Sequence, residues 1–155
     1  MGENTPMPEP TRGPNGDRAP DALRDDWLAR LGDLVRKVKS WAEQYGWKTR
    51  EITKSMKDSV LGEYKAPALL MRRETVEVIL NPVSRFVPGA DGAVDLYLIP
   101  AYDDIASLYL MDGEWKLHYV LHDTQAVDRV REPEVMTLSE ETVIRVLDEI
   151  TAHAP

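Results

Sequence analysis

The chain has 155 residues, 43% hydrophobic and 30% charged, with a net charge of −8 and no cysteine. Its size suits one domain around a single core, and the lack of thiols excludes disulfides, cysteine nucleophiles and cysteine-held zinc. The acidic balance argues against nucleic acid as a partner, the longest apolar runs (residues 66–71 among them) are too short to enter a bilayer as a span, and no basic-apolar leader is visible, so no membrane partner and a cytoplasmic location are expected.

Residues 1–20 hold five of the eleven prolines and, apart from Met1 and Met7, no large apolar side chain. Such a segment cannot offset its ordering entropy and reads as a disordered tail, leaving residues 21–155 as a single α+β domain. After Pro20, Asp21 is placed to cap a helix whose apolar stripe is Leu23, Trp27, Leu31, Leu34, Val38, Trp41 and Tyr45. Gly46 is the expected left-handed stop, with Trp47 packing back on the last turn.

From Trp47 the apolar period changes to two, giving strands near 48–55, 61–72, 75–87, 93–99, 105–111 and 114–121. Arg73-Glu74 and residues 88–92 supply turns, and Pro67 and Pro82 suggest edge positions or bulges because neither can donate to a ladder. Short connections favour an antiparallel meander of five or six strands. Residues 122–137 form a charged link with no assigned element. A closing helix is expected from Ser139 to about His153, with Glu140 and Glu141 at its positive end and Val143, Val146, Leu147 and Ile150 inward.

Asp112-Gly113 between two alternating runs specifies a two-residue hairpin. That register puts Met111 opposite Glu114, Leu110 opposite Trp115, Tyr109 opposite Lys116, Leu108 opposite Leu117 and Ser107 opposite His118. One face then holds Ala106, Leu108, Leu110, Trp115, Leu117 and Tyr119, a core composition. The other holds Ser107, Tyr109, Met111, Glu114, Lys116 and His118.

The sharpest catalytic pattern is Asp95 followed by Glu114-Trp115-Lys116, the residue types of a divalent-metal nuclease in which two carboxylates hold the ion and a lysine orients water. A pairing of strand 93–99 with 105–111 through a tight turn at 100–104 would set Asp95 opposite Tyr109, two ladder steps or roughly 10 Å from Lys116, too far for one ion. Glu63-Tyr64-Lys65 repeats the acid-x-lysine spacing but reads as charge protecting an edge strand. His118 and His122 are expected about 13 Å apart along a strand, so they make no metal pair. No nucleophile elbow or phosphate loop is present. No catalytic residue, metal site or cofactor is assigned.

The surface that remains is the outer face of the meander: Arg85, Asp95, Tyr97, Tyr109, Met111, Lys116 and His118, with Tyr102 at its border. Tyr, Met, Arg and His together have the composition of a recognition surface. The alternative is that a helix covers that face and the tyrosines are amphipathic core. The order of helix, strands and helix in a small acidic chain is similar to that of bacterial secretion chaperones, a resemblance of architecture, and it implies a chaperone-like binding role. The expected function is non-enzymatic binding of a protein partner, through this face or the Trp27–Trp41 helix, with a homodimer as a further expectation. The rivals are the nuclease built on Asp95, Glu114 and Lys116, and a small-ligand pocket lined by Trp41, Tyr45 and Trp47. Residues 24–73 carry net +5 and residues 74–155 net −11, a split that can separate two binding faces.

Overall fold

The first helix, α1, spans Pro20–Gln44 of a computed structural model that describes residues 19–100, 103–119 and 134–154. Its start differs from expectation. Ala19 occupies the N-cap with no side-chain hydrogen bond, Pro20 takes the first turn where its missing N–H costs nothing, and Asp21 lies inside that turn rather than capping it. The inward stripe is Leu23, Trp27, Leu31, Leu34, Val35, Val38 and Ala42. Trp41 is half-buried and packs against this stripe, Tyr45 lies past the helix as its C-cap and is 47% exposed, and Ala42 is buried in the last turn. Gly46 stops the helix at φ 90°, and the Trp47 amide returns to the Ala42 carbonyl at 3.1 Å.

Seven strands follow, not five or six: β1 (Lys48–Asp58), β2 (Gly62–Arg73), β3 (Val76–Ser84), β4 (Gly92–Ile99), β5 (Asp103–Met111), β6 (Glu114–Tyr119) and β7 (Glu134–Thr137). They pair in sequence order as one antiparallel meander. The added strand, β7, comes from the link that carried no assigned element, and it pairs Lys116 with Thr137 and His118 with Val135. The Asp112-Gly113 hairpin holds as expected from Met111↔Glu114 to Ser107↔His118, with both turn residues at positive φ, the signature of a type I′ turn. The β2–β3 turn sits one residue later than expected, at Glu74-Thr75 with Glu74 at φ 57°, since Arg73 pairs with Val76. Pro82 does mark a register shift, between residues 82 and 84. Pro67 lies beyond the point where the β2–β3 ladder ends, Leu69↔Leu80, so its missing N–H interrupts no bond to β3.

The second helix, α2 (Glu140–Ala152), begins as expected: Ser139 accepts from the Thr142 amide and Thr142 returns the bond, a capping box. Both helices pack on one side of the sheet. Buried side chains of α1 and of α2 join Leu69, Met71, Val78, Leu80, Val94, Leu96, Ala106, Leu108, Leu110, Trp115 and Leu117 in one apolar cluster. Trp27 lies 6.1 Å from Trp115, ring centre to ring centre, and Trp27 is fully buried. The expected contact role for the Trp27–Trp41 helix therefore fails at Trp27, which is core. No described helix is long and apolar enough to cross a membrane.

Candidate functional site

With both helices on one side, the opposite face of the sheet is left to the alternate residues of each strand, and no described helix covers it. Cross-strand pairing orders them into rows. One row runs Asn81, Asp95, Ser107, His118, Val135 from β3 to β7. A second runs Arg50, Leu70, Ile79, Tyr97 from β1 to β4, and a third Ala93, Tyr109, Lys116, Thr137. Leu70, Ile79, Asp95, Tyr97, Ser107, Tyr109, Met111, Lys116 and His118 are all half-buried, whereas Val135 is 58% exposed. The sequence leaves open whether a helix lies over the tyrosines; the described fold places both helices elsewhere.

One expected relationship is corrected. Asp95 lies opposite Ser107, two residues from the anticipated Tyr109, because the β4–β5 connection is tighter than expected: Leu98 already pairs with Asp103, and the register shift between Leu96 and Leu98 recovers only one position. The Ser107 hydroxyl donates to Asp95 Oδ1 at 3.2 Å. By strand spacing, Asp95 is then about 12 Å from Lys116 and about 17 Å from Glu114 at the Cα level, beyond the span over which two carboxylates share an ion. Lys116 instead pairs with Glu114 at 3.7 Å. Among the described residues no group of three His, Asp or Glu stands together as ion ligands.

Asp95, Ser107 and His118 share a row, but in an order unsuited to nucleophile activation. The serine sits between acid and imidazole and gives its proton to the acid, while a triad needs the imidazole between acid and hydroxyl. His118 meets Tyr109 edge-on at 4.8 Å, and its buried Nε2 has no hydrogen-bond partner among the described residues. Asn81 donates to the Tyr97 hydroxyl at 3.3 Å. Lys54 of β1 reaches the Pro82 carbonyl at 2.7 Å. Its half-buried ammonium has a pKa below the ordinary lysine value, chiefly because burial disfavours the charge; Asp95 opposes that shift.

Arg85 departs from the expected face. It is 7% exposed, its guanidinium donates to the Asp91 carbonyl and lies 4.7 Å above the Phe86 ring, and it braces the bend between β3 and β4. Tyr102 and His122 lie outside the described residues. Glu63 and Lys65 are on β2, an inner strand, although they precede the β2–β3 ladder and so sit on a stretch with one open side; Tyr64 between them is buried. Of the aromatic trio proposed for a ligand pocket, Tyr45 lines an open groove of about 520 Å3 against Glu141, Ile144, Arg145 and Asp148 of α2; neither Trp41 nor Trp47 lines it.

The β1–β3 part of the face, Lys48, Arg50, Leu70, Arg72 and Ile79, was not legible in the sequence. Residues 66–71 form an unbroken apolar run in which inward and outward positions look alike, and inward parity changes along β2, from Tyr64 and Ala66 to Leu69 and Met71. No family model matches the chain, and neither curated proteins nor solved structures supply a match.

Proposed function

We propose that the chain is a non-catalytic protein-binding module, chaperone-like in architecture, that receives its partner on the sheet face turned away from its helices. The observation that carries this reading is the stacking of α1 and α2 on one side, which leaves Leu70, Ile79, Tyr97, Tyr109 and Met111 half-buried on a continuous opposite surface. Half-exposed Tyr, Met and aliphatic side chains offer large contact area at low conformational cost, the usual make-up of the centre of an interface. Polar groups of the same face are already tethered, Ser107 to Asp95 and Asn81 to Tyr97, so the surface is ordered before a partner arrives.

Photo-crosslinking tests the reading. Benzoylphenylalanine at position 109 should give adducts with a partner in an extract of the native source, while the same group at Lys37, exposed on α1, should give none. Adducts at both positions, or at neither, would refute the proposal. An adduct between two copies of the chain would make the partner a second copy, which sedimentation would show as a dimer.

A further inference from the structure

Charge is uneven over this face. At the β1–β2 end Lys48 stands directly opposite Arg72, a like-charge pair of the kind that destabilises a sheet. Arg50 follows two residues along β1 on the same side, opposite Leu70. Among the described residues none of the three has a carboxylate within ion-pair distance, although Lys39 pairs with Glu51, Arg73 with Asp148 and Lys116 with Glu114. Arg72 faces Glu77 across β3 yet spends its Nε–H on the Glu74 carbonyl at 3.3 Å.

These side chains frame two adjoining hollows. One of about 310 Å3 is lined by Lys48, Thr49, Arg50, Leu70, Arg72 and Glu77. The other, about 330 Å3, shares Lys48 and Arg72 and adds Gly46, Arg73 and Glu74. Below them Trp47 is buried, with the Arg73 guanidinium 4.6 Å above its ring.

We infer that this end of the sheet binds an acidic, extended segment of a protein partner, with carboxylates at Lys48, Arg50 and Arg72 and an apolar side chain on Leu70. The inference rests on the proposed binding face and names the chemistry of what it receives. Along β1 the two cations are spaced ~7 Å apart, the repeat of alternate side chains in an extended peptide. From Leu70 the row continues through Ile79 to Tyr97, which carries the apolar contact toward the middle of the face. A phosphate backbone suits the site less, because it carries a charge at every step and has no apolar group to place on Leu70, which lines the hollow between the cations.

The test uses the full chain and a short fluorescein-labelled peptide with Glu at alternate positions around one central Leu. Saturable binding is expected, weakening with added salt and falling roughly tenfold or more in each of Lys48→Glu and Arg50→Glu. Lys48→Thr should raise Tm slightly by removing the like-charge pair while lowering affinity, a combination that merely solvated charges would not produce. Circular dichroism of each variant confirms folding. Absence of saturable binding, affinity unchanged by either charge reversal, or equal or tighter binding of a single-stranded oligonucleotide of matched charge would overturn the inference. If the peptide fails while adducts still form at position 109, only the acidic assignment falls; if both fail, the binding face falls with it.

Discussion

The indole N–H of Trp27 donates to the phenol oxygen of Tyr64 at 3.1 Å, a buried bond that ties the first half of α1 to β2. Trp27 is fully enclosed and Tyr64 is 8% exposed, so water is a poor substitute for either partner. Tyr64→Phe should therefore strand the indole N–H and lower stability by about 1–3 kcal/mol. Urea denaturation measures it, and an unchanged midpoint would show that the bond contributes nothing net.

The same tyrosine predicts an alkaline effect. Burial is the largest reason that its pKa lies above the ordinary value of 10.0; Trp27 partly offsets this and Asp58 adds to it. As pH rises past 10 the unfolded chain loses this proton first, so the folded state binds more protons and stability falls. Below that range the group adds no pH dependence. Wild type should lose more stability than Tyr64→Phe between neutral and strongly alkaline pH, and parallel curves would count against the assignment.

Gly92 of β4 meets α1 face to face. A Cβ there would stand 2.5 Å from Trp27 Cζ3 and 2.8 Å from Cη2, and a fully buried indole has nowhere to retreat. Gly92→Ala should cost about 1–3 kcal/mol through overpacking and alter the near-ultraviolet tryptophan signal. Unchanged Tm and spectrum would mean that helix and sheet separate more easily than the packing implies.

Lys54 and Asp95 belong to different strands but share a field. Since Asp95 holds up a lysine pKa that burial lowers, Asp95→Asn should drop it further. Its folded value lies below the unfolded one, so this lysine adds stability as pH climbs from the folded pKa toward 10.5, opposite in sign to the tyrosine. An NMR titration of the Lys54 side chain checks both, and a pKa that ignores the Asn substitution would separate the two groups.

Tyr109 and Leu108 are neighbours in sequence on opposite faces. Leu108 is 1% exposed, and Leu108→Ala should cost about 2–5 kcal/mol. Tyr109→Ala should cost about 1 kcal/mol or less, because Tyr109 is only half-buried and lies on the sheet face that no described helix covers. A comparable loss at both positions would mean that Tyr109 also is core, and the proposed binding face would lose its centre.

Local chemistry was readable without coordinates. Gly46 needed a left-handed conformation, Ser139 had an oxygen for a helix start, and Asp112-Gly113 tolerated the positive φ that closes a two-residue hairpin. From that hairpin the pairing of five residue couples followed by counting, as did the inward faces of β5 and β6. Each of these depends on atoms within a few residues, where steric preference and hydrogen bonding are strong enough to decide.

What required the folded chain was every relationship that accumulates across several elements. The tight β4–β5 connection, with Leu98 already on Asp103, moved Asp95 from Tyr109 to Ser107, and β7 found its partner on the far side of a charged link. The choice of sheet face for two amphipathic helices, and the meeting of Lys48, Arg50 and Arg72 around one hollow, were decided by packing. An apolar stripe states that a surface must be buried but not against which partner, and one inserted residue reverses the outlook of all that follow.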